Sequence, residues 1–556
     1  MNTVTNDVGL RETDQDNCEA KHEKQADVLI SLACKRAKFW HDTDNTAFGD
    51  IRVKNHRETW PLHSRKFKLW LAQQYYEYCQ SAPNSDAVQN ALNVLAAKAR
   101  FDGPERQVYV RIADANAKIY IDLGTGDWSA VEIDADGWRI VAEPPVRFRR
   151  SKGMLPLPVP KRDGGNVNAL RSFLNVKTDE DFALVVAFLI ATRRGRGPFI
   201  ILVLTGEHGT AKSTLTRILR NLCDPNSAPL RSLPREDRDL FISANNGYVL
   251  AFDNVSTLSP WLSDSLARLA TGGGFSTREL YTDSEEVLFD AMRPIILNGI
   301  EDFVTRGDLA DRVITLMLME IADDKRRDEE SFWLEFHQVA PVILGGLLDA
   351  IACGLKMIPH VKLACKPRMA DFAKWGVACE GKLPWTAGTF MRAYEGNRAE
   401  AVETMLESDG VVVALRALLT EHTYWKGTAG DLLKEFNTAV TEETGKAKDW
   451  PKSPRGMSGA LRRCAPGLRK LGYAVDFLKD TGKKRNRWIE LRAPVETPQE
   501  PSAPSEPFMA ASDGTFRADG PSRQPSVSNA LNNKPADDAD GSDGREETLE
   551  EAAWTL

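Results

Sequence analysis

The chain has 556 residues, 42% of them hydrophobic and 27% charged, and its 72 basic and 79 acidic residues give a formal net charge of −7. That composition excludes a wholly disordered chain, a collagen-like repeat and a disulfide-stapled miniprotein, and at about 100–200 residues per domain it predicts roughly three to five domains. A negative sum argues against a nucleic-acid partner, because neutralising phosphates takes Lys and Arg, but a whole-chain sum hides local patches. No run of apolar residues approaches the length needed to span a bilayer, so neither a transmembrane helix nor a membrane partner is predicted. Residues 1–24 are polar and contain acids, unlike a signal or transit peptide, and the predicted location is the cytoplasm. Cys18, Cys34, Cys79, Cys223, Cys353, Cys365, Cys379 and Cys464 include no CxxC pair and read as reduced thiols. His360, Cys365 and Cys379 match no strong metal-ligand spacing, and buried thiols are the plainer reading.

In chain order, residues 1–25 read as a disordered polar tail. Residues 26–165 read as an accessory α+β domain of unknown role. It is mostly helical over 26–100, where 66–79 and 87–97 carry apolar residues at three-to-four spacing, and β-rich over 107–148, where short alternating runs sit between turns. The Pro-containing stretch 156–165 reads as a linker. Residues 166–330 alternate helix and strand, which predicts an α/β domain with a parallel sheet. A helical segment follows over 331–400, then a smaller basic unit over 405–493. Pro, Ser, Ala, Gly and acids dominate 496–556, which reads as a disordered acidic tail.

The most specific signal begins at residues 199–205, FIILVLT, an apolar β-branched run typical of a buried strand. The loop Gly206, Glu207, His208, Gly209, Thr210, Ala211 follows, then Lys212, Ser213 and Thr214 open a helix-like run. Strand, Gly-containing loop, Lys-Ser and helix is the order that cradles phosphates, with loop N–H groups and a helix N-terminus aimed at the anion. Lys212 would reach the β/γ-phosphates of ATP and the Ser213 hydroxyl would ligate Mg²⁺. The usual pattern GxxxxGK[ST] has Gly where this chain has Ala211, and an alanine there is expected to need only a helical backbone.

A second strand at 248–254 ends in Asp253-Asn254, and Asp253 is expected to hold Mg²⁺. Many hydrolytic proteins of this class have a carboxylate in place of Asn254. An amide cannot act as a general base, though it can orient water. A third strand at 294–298 ends in Asn298, predicted to lie beside the γ-phosphate. Arg312, or second Arg306, is expected to reach a neighbouring subunit's γ-phosphate; an ordinary ion pair to Asp308 or Asp311 is the competing reading. Between the second and third strands, residues 271–289 read as a hairpin that includes Arg278.

These elements resemble AAA+ P-loop ATPases, and more narrowly superfamily 3 helicases of the viral and phage primase–helicase type. GEHGTAKST at 206–214, FDN at 252–254, GGGFSTRELY at 272–281, RPIILNG at 293–299 and RGDLADR at 306–312 carry the resemblance. It implies a three-layer α/β core with a parallel sheet, a homo-oligomeric, hexameric ring threading single-stranded or forked DNA, and a hairpin whose Arg278 faces the pore. A separate primase or polymerase partner is part of the same expectation, since 1–165 carries no paired-acid polymerase motif.

The unit 405–493 reads as three helices and two strands and resembles the winged helix that ends phage primase–helicases. Residues 446–495 hold fourteen Lys or Arg against four acids, while 496–556 hold four bases against thirteen acids. Lys452, Arg455, Arg462 and Arg463 fall in or before the candidate recognition helix, and Lys483, Lys484, Arg485 and Arg487 crowd the candidate wing. Such side chains chiefly contact phosphates. The expected function is an ATP-dependent, helicase-like ATPase in DNA replication of a phage or integrated mobile element. The alternatives are an ATP-controlled switch or loader, a DNA-binding initiator without unwinding activity, and a defence-associated ATPase.

Overall fold

The computed structural model describes residues 24–273, 275–278, 286–289, 292–300, 303–304, 307–407, 409–440, 445, 450–479 and 487–494. The described residues fall into two units, 24–413 and 414–494.

The first unit opens with α1 (Gln25–Arg36), β1 (Ala37–His41), β2 (Ala47–Val53), β3 (His56–Pro61), α2 (Arg65–Cys79) and α3 (Ser85–Phe101). α2 and α3 start where the sequence provides caps: Ser64 accepts the N–H of Phe67, and Asn84 that of Asp86. Leu29, Phe67, Leu71, Leu92 and Leu95 share one core with Ile51 and Trp60 of the antiparallel β1–β2–β3 sheet. Those three strands correct the mostly helical reading of 26–100. Their alternation is blurred by buried acids that find partners only in three dimensions. Asp50 accepts from Trp40 Nε1 and Thr59 Oγ1, and Glu58 from Trp60 Nε1 and Lys66 Nζ.

Next come β4 (Val108–Tyr109), β5 (Ile112–Ala115), β6 (Lys118–Asp122), β7 (Ala130–Asp134), β8 (Gly137–Val141) and β9 (Arg147–Phe148). The strands β5–β8 form an antiparallel meander in sequence order, and β4 pairs with β9 in parallel.

The centre of the unit is built from α4 (Asp179–Ala191), β10 (Ile201–Thr205), α5 (Lys212–Cys223), α6 (Asp237–Asn246), β11 (Leu250–Val255), α7 (Pro260–Thr271), β12 (Phe275–Arg278), β13 (Glu286–Phe289), β14 (Ile295–Gly299), α8 (Gly307–Ala310) and β15 (Val313–Met317). Its sheet is parallel throughout, in the order β11–β14–β10–β15. The backbone of Arg231 extends it past β11, accepting from Asp253 N–H and donating to Ala251 O. Both faces are covered, so the strands read as unbroken apolar runs. Ile201 and Val203 join the core on one side, Leu202 and Leu204 that on the other. The hairpin read at 271–289 exists as the antiparallel pair β12–β13, and Arg293 at its root donates to the carbonyls of Ala244 and Gly247. Burial pushes the Arg293 guanidinium down to about 10.

Three helices complete the unit: α9 (Glu329–Met357), α10 (Ala370–Cys379) and α11 (Thr389–Glu407). Among the described residues α9 alone is long and apolar enough to cross a membrane by length and composition, yet 61% of its apolar window is buried inside the protein. The stretch 156–165, expected to be a linker, is instead a packed strap. Leu157 is buried, Lys161 N–H donates to Pro341 O, and Asn166 N–H donates to Val342 O. Gly345 permits this approach, since a Cβ there would stand 2.0 Å from the Lys161 carbonyl oxygen.

The second unit begins within α12 (Gly410–Glu421) and continues through β16 (Tyr424–Gly427), α13 (Ala429–Ala439), α14 (Pro454–Lys470), β17 (Ala474–Lys479) and β18 (Arg487–Arg492). Its antiparallel sheet has the order β16–β18–β17, one strand more than the two read from the sequence. Thr428 and Asp431 form a capping box at the start of α13. Leu432, Phe436, Leu461, Leu468, Val475 and Leu491 are buried between helices and sheet.

One buried ion pair joins the β5–β8 region to the central sheet. Arg111 Nε donates to Asp224 Oδ1 at 3.0 Å, with both side chains within 2% of full burial. Arg111 also donates to the carbonyls of Asp122 and Leu155. Burial pushes the Asp224 carboxyl up, but Arg111, Arg220 and the Val249 N–H outweigh it and hold the group below its usual range. Replacing Arg111 with Ala leaves that carboxylate only Arg220 and two backbone N–H groups and orphans the carbonyls of Asp122 and Leu155, and the expected loss is about 3 kcal/mol in urea unfolding at neutral pH. The lowered value makes Asp224 stabilising above the carboxylate range in the parent. Without Arg111 the carboxyl is held less far below its usual range, so the parent loses more stability than the variant as pH falls and the gap between the two proteins should narrow. A loss under about 1 kcal/mol, well below the usual cost of a broken buried pair, would show that the pair is not what joins these regions.

Candidate functional site

The loop 206–211 connects the buried strand β10 to α5, and two of its residues hold it close to its neighbours. Gly206 has φ +145°, and a Cβ on it would lie 2.7 Å from Leu318 O; Gly209 has φ +81°. Ala211 corrects the sequence reading. It sits at φ 60°, ψ 28°, left-handed rather than helical, as the residue that turns the chain into α5. That conformation costs an L-residue with a Cβ roughly 1–2 kcal/mol, which is why glycine suits the position.

Lys212 is the first residue of α5. Its Nζ donates to Gly206 O at 2.8 Å, Glu207 O at 2.6 Å and Thr210 Oγ1 at 3.2 Å, so the ammonium lies under the loop. Burial lowers its pKa from the ordinary lysine value, while Asp253 pulls the other way. The next residue, Ser213, donates its hydroxyl to Asp253 Oδ2 at 3.0 Å. A hydroxyl and a carboxylate meeting beside a helix N-terminus are hard oxygen donors of the kind that suit Mg²⁺. Among the described residues no cluster of three or more His, Cys, Asp or Glu is placed to hold a metal ion by itself. Glu207, His208 and Gly209 are exposed at the loop's outer edge, and Thr210 is buried, its hydroxyl donating to Glu207 O. Thr214 is half-buried in the first turn.

The strand β11 loses register with β14 after Phe252, and in that irregularity Asn254 takes φ 56° and donates its N–H to Asp253 Oδ1. Asn tolerates the left-handed region better than most residues. Its side chain is exposed. Asn298 of β14 is fully buried; its Nδ2 donates to Thr216 Oγ1 at 3.2 Å, and its Oδ1 has no hydrogen-bond partner. Lys212, Ser213, Asp253 and, through Thr216, Asn298 are thus gathered around the first turn of α5. Arg312 lies apart from this group, paired with Asp308 at 2.5 Å. Arg306 lies outside the described residues, and Arg278 is placed only by its backbone at the end of β12.

Two nearby residues carry no local sequence signal. Asn175 donates its amide to Thr210 O and Met319 O, tying the loop to the segment after β15. Arg326 reaches back to the loop's outer edge.

In the second unit, Arg455, Arg462 and Arg463 are exposed on α14, and Lys452 is exposed just before it, donating to Gly445 O. The Arg462 guanidinium stacks over Phe477 of β17 at 4.1 Å. Arg487 is exposed at the start of β18; Lys483, Lys484 and Arg485 lie outside the described residues, as does the tail 496–556.

Fold and site together define a mixed α/β protein whose parallel sheet presents a glycine-containing loop and a Lys-Ser helix start. Residues 167–399 match the family model of the actinomycete integrative conjugative element replication protein, RepA, and residues 411–505 match the RepA C-terminal domain of the same elements. These matches support a replication protein of a mobile element. The chain is also similar to the A-form apo structure of the NrS-1 C-terminal region, at 12% identity and a TM-score of 0.37, covering 85% of this chain and 100% of that one. A second apo structure of the NrS-1 C-terminal region is similar at 13% identity and a TM-score of 0.36, over 84% and 99% of the two chains. No curated protein matches the chain.

Relieving the left-handed alanine is a direct check on the loop. Ala211→Gly should raise unfolding stability by on the order of 1 kcal/mol. A fall of the same size in the melting experiment would contradict the backbone described for this residue.

Proposed function

We propose that this replication protein is a Mg²⁺-dependent AAA+ P-loop ATPase of helicase type that acts on DNA during replication of a mobile element. The observation that carries the reading is the convergence at the start of α5: Lys212 beneath the loop, and Ser213 hydrogen-bonded to Asp253. The parallel sheet order, with β14 between the two strands that present these groups, supports it too.

The loop N–H groups and the α5 N-terminus would bind the phosphates of ATP. A phosphate in the loop would offset the burial that lowers Lys212, restoring a full ammonium against it. Mg²⁺, held by Ser213 and Asp253, would neutralise charge on the phosphates. Asn298 would orient a polar group at the same end of the sheet, with its free Oδ1 as acceptor. Arg312 or Arg306 would serve a neighbouring copy in a homo-oligomeric ring, which for Arg312 requires exchanging Asp308 for phosphate. The hairpin with Arg278 would face single-stranded or forked DNA. The helix α14 with β17 and β18 would act as a winged helix, in which Arg455, Arg462 and Arg463 contact backbone phosphates.

A second reading, an ATP-controlled switch or loader without unwinding, is favoured by Asn254, whose amide cannot take a proton. Strand displacement on a forked duplex distinguishes the two.

DNA-stimulated ATP hydrolysis should be lost in Lys212→Ala, by on the order of a hundredfold or more, as expected for removing a phosphate-binding charge from the site. Equal, negligible rates in parent and variant would remove the enzyme assignment. The double variant Arg455→Ala/Arg463→Ala should weaken DNA binding across sequences and flatten its dependence on log salt by about two units. An unchanged slope would remove α14 from the DNA contact.

A further inference from the structure

The 17 residues of α14 hold five cations and no acid. Arg469 turns inward and donates to Val475 O at 3.1 Å. Arg455, Arg462 and Arg463 are exposed, and at about 3.6 residues per turn they fall on one side of the helix. Arg462 is held by its stack on Phe477, which leaves the N–H edge of the guanidinium open to an oxygen acceptor. Among the described residues no carboxylate pairs with any of these three arginines. The sheet of the same unit is built differently, since Glu490 takes both Lys426 at 2.6 Å and Arg492 at 3.3 Å. The arginine side of α14 is therefore a concentrated positive field without a counter-charge of its own.

The chain carries the complementary charge further on. Residues 537–551, DDADGSDGREETLEE, lie outside the described residues and hold eight acids against one base. They are joined to the second unit through 495–536, a spacer of 42 residues rich in Pro, Ser and Ala. A spacer of that length spans about 35 Å root-mean-square, whereas a compact unit of about 80 residues has a radius of gyration of about 12 Å. Every face of the unit is thus within reach, and tethering sets the acidic stretch at an effective concentration in the millimolar range. Single exposed ion pairs contribute about 0–1 kcal/mol each. Several made together at that concentration are enough to hold the face, and salt weakens them.

We propose that the acidic stretch 537–551 of the same chain occupies the arginine side of α14 in the DNA-free protein, and that DNA must displace it to bind there. This assignment rests on the DNA reading of α14 given above and adds the occupant of that face. The exchange is between like chemistries, carboxylate oxygens for phosphate oxygens, both of which accept from the guanidinium edge. Duplex DNA carries one charge per about 1.7 Å and releases condensed counterions when it is bound, so a long duplex wins the exchange. Short or sparsely charged polyanions do not. The acidic stretch thereby raises the threshold for non-specific binding without altering the arginines that make the contact.

The test is a double-mutant cycle on the full chain, read by fluorescence anisotropy with a labelled DNA duplex. One arm changes the eight carboxylates of 537–551 to the matching amides, the other is Arg455→Ala/Arg463→Ala, and the fourth protein combines them. In the parent background the amide variant should bind DNA on the order of tenfold more tightly at about 50 mM salt, and less than about threefold more tightly at about 300 mM. In the Arg455→Ala/Arg463→Ala background the same change should give less than about a threefold gain, because the contested face is gone. Equal gains in the two backgrounds would mean long-range repulsion of DNA by the tail, and no gain in either would mean no competition; each overturns the inference and leaves the DNA reading of α14 standing. If Arg455→Ala/Arg463→Ala leaves DNA binding unchanged, that reading fails and this inference with it. Contact is checked directly by carbodiimide coupling of the DNA-free parent, which joins an amine to a carboxylate it touches. Lys452, exposed just ahead of α14, should couple to carboxylates of 537–551, and the product should vanish on adding DNA. In a mixture of isotope-labelled and unlabelled chains, coupling found only between copies would assign the occupant to a neighbour and overturn the same-chain proposal.

Discussion

Arg111 is an arginine with no exposure to solvent, and it grips the end of α5 opposite the glycine-containing loop 206–211. Asp224, just past the last residue of that helix, accepts from Arg111 on one oxygen and from the N–H groups of Tyr248 and Val249 on the other. Three parts of the first unit therefore meet at one carboxylate: the residue that leads into the β5–β8 meander, the end of α5 and the approach to β11. A charge buried this deeply is stabilising only while every partner stays in place. The position of Lys212 and Ser213, at the other end of the same 12-residue helix, follows from that anchor.

Around the site the backbone is held in conformations that side chains usually avoid. Ala211 and Asn254 are both left-handed, and each adjoins a residue of the Ser213–Asp253 contact or its helix start. Strain of this kind persists only where surrounding structure over-determines it. Here Leu318, Asn175 and the irregular end of β11 provide that surrounding structure. On the nucleotide reading proposed above, the strain lies where a phosphate and a divalent cation would require fixed N–H and oxygen donors.

The net charge of −7 takes on a different meaning once it is divided along the chain. Segment 446–495 is strongly basic, and its described cations include an exposed set on α14 in the second unit. The tail 496–556 is acidic and masks that excess in the whole-chain sum. The acidic total therefore does not argue against DNA. Affinity for phosphates depends on where the cations are clustered, and less on the sum.

The sequence by itself determined the elements whose side chains repeat with the period of their own backbone. The apolar run at 201–205, the Gly-containing loop with Lys212 and Ser213, the helices near 66–79 and 87–97 and the strands β6–β8 were all legible, because local propensity and burial agree there. Only the tertiary structure decided the rest. Asp50 of β2 finds Arg147, 97 residues further on, and the strap at 156–165 packs on α9 only because Gly345 lacks a side chain. Ala211 is left-handed because the loop is pinned between β10 and α5, a constraint its own side chain does not announce. The pairing of Ser213 with Asp253, 40 residues apart, and the approach of Arg326 to Gly209 likewise arise from sheet order and connector packing. Such contacts depend on chain segments that are remote in sequence, and no local periodicity encodes them.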